Sequence, residues 1–187
     1  MVLTHAKRKL WSRREYHQVT DAGVFDGTSR VELIEGEIVQ MPPQNSIHFT
    51  GIGLANEQLS RVFRGGYYVR VQGPLALGPR SEPEPDLAVV KGGARDYLND
   101  HPGPEQTVLV VEIAHTSLAY DRDEKLSLYA RAAIPEYWIV NLADMVLEVH
   151  RKPEGSAYAD VRVLKPGQSC APLAVPDTTV AVADLLP

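Results

Sequence analysis

The feature of the sequence that most constrains its fold is an apolar run, residues 108–114 (VLVVEIA), with one carboxylate, Glu112, inside it. Four consecutive branched apolar residues, continued on the other side of the acid, are typical of a strand that is buried on both faces of a sheet. A buried carboxylate is costly unless it is protonated, paired with a cation or bound to a metal ion. The sequence therefore predicts a central strand that carries a functional or ion-paired acid.

A lysine in the next helix is a second departure from local preferences, after the acid in the buried strand. The pattern after the central strand predicts an amphipathic helix over 121–133, because Asp121 and Glu124 resemble a capping box and Pro135 follows. Lys125 then falls in the first helical turn, where the helix dipole disfavours a cation. Two broken rules close together in the chain tend to mark a functional site.

A second acid, Asp86, opens another predicted strand. If this strand and the central strand are antiparallel neighbours, Asp86 and Glu112 lie side by side. Two carboxylates, completed by water and a substrate phosphate, make a plausible Mg²⁺ or Mn²⁺ site, to which the peptide oxygen of Ile113 would add a neutral ligand. Lys125 would stabilise an attacking hydroxide or the charge of the phosphate.

The remaining elements surround this pair of strands. We expect one domain over 1–187, with a core at about 46–141, an N-terminal helix and hairpin at 12–41, and C-terminal strands and a tail at 146–187. We also expect the hairpin strands, or the strand 146–151, to be exposed edges that pair across a two-fold axis. The predicted elements are helices 13–22, 46–64 and 121–133, and strands 30–34, 37–41, 67–72, 75–77, 86–90, 108–114, 137–141, 146–151 and 161–164.

Composition narrows the function classes. The net charge of −5 argues against a protein that coats nucleic acid without regard to sequence. It does not argue against an enzyme, because carboxylates that hold metal ions add acidity and the bound ions reverse the local sign. The sequence has no apolar stretch long enough for a membrane span. Its single cysteine, Cys170, allows no intrachain disulfide, favours a cytoplasmic location, and has flanks typical of a loop rather than of a nucleophile.

Five segments, spread over nearly the whole chain, carry a resemblance to a known family. They are 32–38 (ELIEGEI), 84–86 (EPD), 111–113 (VEI), 120–130 (YDRDEKLSLYA) and 134–140 (IPEYWIV). On these segments the chain resembles the Uma2 family, also known as DUF820, a branch of the PD-(D/E)XK restriction-endonuclease-like superfamily. His48 stands where that family has a histidine at the start of its first core helix.

The resemblance implies an α/β (α+β) restriction-endonuclease-like core, with a mixed central sheet flanked by helices and an N-terminal helix and hairpin. It also implies a Mg²⁺-dependent (or Mn²⁺-dependent) endonuclease that acts on DNA as a homodimer. The implied catalytic residues are Asp86, Glu112 and Lys125, the implied metal ligands are Asp86, Glu112 and Ile113, and the accessory residues are Glu32, His48, Tyr129 and His115.

Two departures from the family pattern bear on this prediction. Ala114 stands where the superfamily motif has lysine, so Lys125 of the next helix would have to replace it. His115 and Thr116 stand where the family has serine and proline, and His115 would be an extra ligand or base.

Other functions stay open. The fold would otherwise serve as a non-catalytic module that binds nucleic acid or a protein partner. Ala114, where the superfamily motif has lysine, would then indicate that the catalytic site has been lost. A metal-dependent hydrolase of another phosphorylated substrate agrees better with the acidic net charge.

Each candidate residue also has a purely structural interpretation. For the charged candidates they are a buried ion pair for Glu112, a loop-to-strand turn for Asp86, a surface lysine for Lys125, exposed strand acids for Glu32 and Glu37, and an N-cap for Asp121. For the histidines they are a helix end for His48 and a loop position for His115. For the aromatic residues Tyr129, Tyr137 and Trp138, the structural interpretation is core packing.

Overall fold

The computed structural model describes residues 7–25 and 30–187. Two short 3₁₀ turns, Ala94–Tyr97 and Val182–Leu185, supplement the helices and strands. The elements in chain order are α1 (Arg13–Asp21), β1 (Val31–Ile34), β2 (Glu37–Gln40), α2 (Ser46–Val62), β3 (Tyr67–Val71), β4 (Leu87–Lys91), β5 (Thr107–Ala114), α3 (Leu118–Tyr120), a π-helical turn (Asp121–Lys125), α4 (Leu126–Arg131), β6 (Glu136–Asn141), β7 (Val146–Glu154), β8 (Ala157–Leu164), β9 (Ser169–Cys170) and β10 (Val180–Ala181).

A six-stranded mixed sheet in the order β3-β4-β5-β6-β7-β8 organises these elements. All eight residues of β5 are buried, which is why that stretch of the sequence is apolar on both alternating faces. β5 runs antiparallel to β4 and parallel to β6, and the other pairs are antiparallel. Leu87 lies opposite Val111, so the predicted antiparallel arrangement of these two strands is confirmed, as is the predicted mixed fold class.

The two faces of the sheet carry separate apolar clusters. Helix α2 and the C-terminal tail pack on the face that holds Val111 and Ile113. Helix α4 packs on the opposite face, which holds Val110 and Ala114. Side chains alternate along a strand, so Glu112 points to the face covered by the helical segment 118–131.

The N-terminal elements form as their local sequence predicts. Ser12 and Glu15 make the reciprocal capping box that begins α1. β1 and β2 pair as an antiparallel hairpin. Its two-residue turn has Glu35 at φ 51° and Gly36 at φ 87°, which is the combination of a type I′ turn.

The predicted strand at 75–77 is wrong. The N–H of Leu75 donates to Pro83 and that of Ala76 donates to Pro102, so the segment bonds to two loops instead of a sheet. Leu75 and Leu77 are nevertheless buried in the cluster beneath α4. The apolar character of this segment therefore reflects burial of an irregular segment and not a strand.

The predicted start of the third helix is also wrong. The helical segment begins at Leu118, and Asp121–Lys125 is a π-helical turn in its interior. Asp121 is therefore not an N-cap, and Lys125 does not lie in a first turn. The helix dipole gives no account of this lysine.

The strand 146–151 is not an edge. β7 pairs with β6 on one side and with β8 on the other, so β8 is the last strand of the sheet. The residues around Cys170 also differ from the predicted loop, since Ser169–Cys170 pairs with Val180–Ala181 and the thiol is buried. Among residues 7–25 and 30–187, no helix is long and apolar enough to cross a membrane.

Candidate active site

Asp86 and Glu112 meet at the point where β4 begins beside β5. The N–H of Asp86 donates to Oε2 of Glu112 at 3.0 Å, and the N–H of Ile113 donates to Oδ2 of Asp86 at 2.9 Å. Each carboxylate thus accepts a backbone hydrogen bond from the other strand. Both side chains are buried, at 6% and 4% relative exposure for Asp86 and Glu112. The convergence predicted from the sequence is confirmed.

The peptide group of Ile113 faces the same place. The N–H and C=O of a strand residue point to the same side of the strand. Because the N–H of Ile113 points to Asp86, its carbonyl oxygen lies on that side as well. The carbonyl of the next residue, Ala114, points the other way and accepts from the N–H of Leu142 at 2.8 Å.

Lys125 lies fully inside the protein, so the alternative of a surface lysine is wrong. Its Nζ is 3.2 Å from Oε1 of Glu112 and 2.7 Å from Oε2 of Glu32. One turn later, the hydroxyl of Tyr129 donates to the same Oε1 of Glu112 at 2.8 Å. The helical segment thus places a cation and a hydroxyl donor against one oxygen of the central acid.

The hairpin contributes one acid and not the other. Glu32 is 1% exposed and reaches Lys125 from β1. Glu37 on β2 is exposed and pairs with Arg8 at the surface, so its interpretation as an exposed strand acid is the correct one. Both acids lie on the same face of the hairpin, because Glu37 pairs with Ile34, two residues from Glu32. They differ in position along the hairpin, since Glu37 adjoins the turn and stays in solvent.

The two histidines lie on the cleft wall. The backbone N–H of His48 is capped by Asn45 at the start of α2, and its Nε2 is 3.1 Å from Oδ1 of Asp86. His115 lies farther out, with its Nδ1 3.4 Å from Nδ2 of Asn45. His48 therefore touches an acid of the predicted pair, whereas the ring of His115 lies against Asn45, the residue that caps α2.

Asp121 is the cleft residue that the sequence reasoning assigned wrongly. It is 4% exposed and accepts a hydrogen bond from the hydroxyl of Ser117 at 2.7 Å. Tyr137 donates to its backbone carbonyl at 3.1 Å, which ties the π-helical turn to β6. The available signal was its spacing of four residues from Lys125, which places both on one side of a helix.

Comparison with known proteins places the chain in a family. The Uma2 family model, described as "Putative restriction endonuclease", matches residues 13–183. The chain belongs to the Uma2 family. Its fold is similar to that of a crystal structure of "a putative nuclease belonging to DUF820" from Anabaena variabilis ATCC 29413, with a TM-score of 0.63, 14% identity, and coverage of 88% of this chain and 94% of that one. No curated protein matches the chain. Membership of this family supports a nuclease-like function.

The cleft of this Uma2 protein is rich in acids. The empty space in the cleft, counted together with its opening to solvent, is about 550 Å³. Lys125 is the only lysine that lines it, and Arg30 contributes the one guanidinium among the described lining residues. Its carboxylates are Glu32, Glu84, Asp86, Glu112 and Asp121.

Burial shifts the protonation of Glu112 and Asp121. Desolvation raises the pKa of Glu112 to about 8, against the opposing effect of Lys125 and with help from the neighbouring carboxylates. Desolvation likewise raises the pKa of Asp121 to about 6. Burial alone would lower the pKa of Lys125, but the carboxylates of Glu112 and Glu32 outweigh it, so the net shift is upward and the ammonium stays charged. Without a bound metal ion these shifts favour the neutral forms of both acids, so a metal ion that used Glu112 as a ligand would have to displace its proton.

This oxygen donor set fits a hard divalent cation such as Mg²⁺ or Mn²⁺ better than a softer ion such as Zn²⁺ or Cu²⁺. Within the described ranges, no group of three or more His, Cys, Asp or Glu side chains is arranged to hold a metal ion. Mg²⁺ does not need such a group, because it is commonly held by one or two carboxylates and keeps several waters. Two adjacent buried carboxylates, with one neutral peptide oxygen beside them, match that requirement.

Proposed function

We propose that this Uma2 protein is a Mg²⁺- or Mn²⁺-dependent endonuclease that hydrolyses DNA phosphodiester bonds in the cleft between α2 and the π-helical turn. The observation that carries the proposal is the pairing of Asp86 and Glu112 at adjoining strand ends, with the ammonium of Lys125 held against Glu112. Family membership supports the nuclease class, and the geometry supports the metal-dependent form of it.

Three groups would hold the metal in this proposal: the carboxylates of Asp86 and Glu112 and the peptide oxygen of Ile113. When bound, the ion supplies Lewis-acid activation of a phosphoryl oxygen and of water. Lys125 stays protonated and offsets charge on the phosphate, because an ammonium in a desolvated cleft acts more strongly than one in water.

Other residues position this constellation. The hydroxyl of Tyr129 fixes the orientation of Glu112, and Glu32 holds Lys125 from the opposite side. His48 orients Asp86 through its Oδ1, which leaves the Oδ2 of Asp86 on the N–H of Ile113. These contacts limit the freedom of the acids before any substrate arrives.

The test combines calorimetric titration of Mg²⁺ and Mn²⁺ with plasmid nicking on the same samples. We expect Asp86→Asn and Glu112→Gln to lose metal binding and to nick at least about a hundredfold more slowly, because each removes a charged ligand. Glu37→Gln is the matched control, since it changes an exposed acid outside the cleft. Full nicking by either cleft variant would refute the proposal.

A non-catalytic binding module is the second candidate, and one observation favours it. Each of the four carboxylate oxygens of Asp86 and Glu112 already has a protein partner. Such a module would bind its target equally well with and without divalent ions. Metal binding without nicking would instead favour the third candidate, a hydrolase of another phosphorylated substrate.

A further inference from the structure

The last strand of the sheet presents a free edge. Within residues 7–25 and 30–187, β8 has a strand neighbour on one side only, and it is eight residues long. An edge of this length is a template for pairing with another chain unless charge, proline or a covering segment blocks it. Val161 and Val163 on this edge are 53% and 57% exposed.

The sequence of the edge is self-complementary. In an antiparallel pairing of two copies centred on Val161, Asp160 of each copy lies opposite Arg162 of the other, and Ala159 lies opposite Val163. Both charged pairs are attractive and both apolar pairs are compact, which is the requirement for an isologous two-fold interface. A shift of this register by one residue in either direction places Asp160 or Arg162 opposite a valine.

The charges that would meet are already held in place. Arg162 donates from Nε and Nη2 to the two carboxylate oxygens of Asp160, at 3.1 and 3.0 Å. The two side chains lie on the same face of the strand, so the pair presents no net charge to an approaching copy. This pair therefore adds nothing to the repulsion expected between two chains of net charge −5.

The other edge of the sheet lacks this property. In an antiparallel pairing of two copies centred on Val69 of β3, Tyr68 lies opposite Arg70, so no acid pairs with the guanidinium. Arg70 is also engaged within its own subunit, by the carbonyl of Pro74 and the ring of Tyr97. Of the two edges, β8 is the one suited to a second copy.

We propose that two copies of this chain associate through antiparallel pairing of their β8 strands, centred on Val161, to form a continuous twelve-stranded sheet. The partner is a second copy rather than an unrelated peptide, because the strand is complementary to its own reverse: Asp160 meets Arg162, and apolar residues meet apolar residues. This surface differs from the hairpin and from the strand 146–151, which the sequence had suggested for a dimer.

The experiment is sedimentation equilibrium on the full-length chain over a range of concentrations. The wild type is expected to be a dimer. Asp160→Arg and Arg162→Asp each place like charges across the dyad, and each should raise the dimer dissociation constant by at least about tenfold. An equimolar mixture of the two variants should form a heterodimer of wild-type affinity, because every cross-strand pair is then attractive again.

Two controls separate this interface from general destabilisation. All variants should keep the circular dichroism spectrum and melting temperature of a folded chain, because the substituted side chains are at the surface. Val71→Lys, on the opposite edge and 43% exposed, should remain a dimer. A monomeric wild type, or a dimer that tolerates both charge reversals, would overturn the proposal. Neither result depends on metal binding or nicking.

Discussion

At the scale of single residues, Glu112 shows how one position serves both fold and chemistry. Its backbone continues the central strand, and its carboxylate accepts from the N–H of Asp86, from Lys125 and from Tyr129. A carboxylate held by three donors in a buried site keeps a single orientation. The same contacts make its loss costly to the fold, so conservative substitutions give the clearest results.

The hydroxyl of Tyr129 is the contact to remove first. We expect Tyr129→Phe to lower the free energy of unfolding by about 1 kcal/mol, as for loss of one buried hydrogen bond, and to weaken Mg²⁺ binding by leaving Glu112 less well oriented. Calorimetric metal titration and urea denaturation measure the two effects.

Tyr158→Phe is the matched control for that substitution. Tyr158 is also buried and donates to a backbone carbonyl, that of Ile134, away from the cleft. It should lose stability to a similar extent and keep its metal affinity. Equal metal affinities in the two variants would mean that Tyr129 only packs.

At the scale of elements, the approach of α2 to the sheet sets the position of His48. Gly51, one turn beyond His48, permits this approach, because a Cβ there would lie 2.7 Å from Cγ2 of Ile113. The same helix contains Gly53, where a Cβ would meet nothing within 4 Å. The close packing of α2 on the sheet therefore requires a glycine at 51 but not at 53.

These two glycines give a paired prediction. Gly51→Ala should destabilise the chain by about 1–3 kcal/mol, because α2 must move away from β5, and it should slow nicking by displacing His48 from Asp86. Gly53→Ala should stabilise by about 0.5–1 kcal/mol, because alanine costs less backbone entropy in a helix. Thermal and urea denaturation of both variants provide the check. Destabilisation by Gly53→Ala would show that helix contact is not the deciding factor.

At the scale of the whole molecule, an ion pair between an exposed arginine and a buried glutamate joins the helical layer to the sheet. Arg122 of the π-helical turn donates from Nε and Nη2 to both carboxylate oxygens of Glu148 on β7, at 3.0 and 2.6 Å. Asn141 adds a donor at 2.8 Å. Burial alone would raise the pKa of Glu148, but the nearby imidazole of His150 and the donors on Arg122 and Asn141 outweigh it and lower the pKa to about 2.

The depressed pKa of Glu148 predicts how the stability of the protein depends on acidity. A carboxylate with a lower pKa in the folded state stabilises the fold above its unfolded pKa, and this contribution is lost as the pH falls from about 4.5 to about 2. Glu148→Gln should therefore remove on the order of 1–3 kcal/mol at neutral pH and flatten the dependence below pH 4.5. Glu154→Gln, an exposed acid on the same strand, should leave the curve unchanged.

The elements that could be predicted from sequence are those whose signals are local. The apolar run at β5, the capping box at Ser12 and the Glu35-Gly36 turn each depend on neighbouring residues, and all three form as expected. The segment 75–77 and the start of the third helix could not be predicted. The first is apolar because loops bury it, and the second runs through a π-helical turn bonded to β6.

The sequence by itself determined that Asp86 stands at the start of a strand and Glu112 within a buried strand, because the pattern of neighbouring apolar residues predicts both. Only the tertiary structure decided that Glu32 and Asp121 join them, that Lys125 is fully buried, and that β8 rather than β7 is the free edge. The physical reason is that these facts depend on contacts between segments far apart in the chain. The pKa values of Glu112 and Asp121 are raised for the same reason, because only the assembled layers exclude water from these two acids.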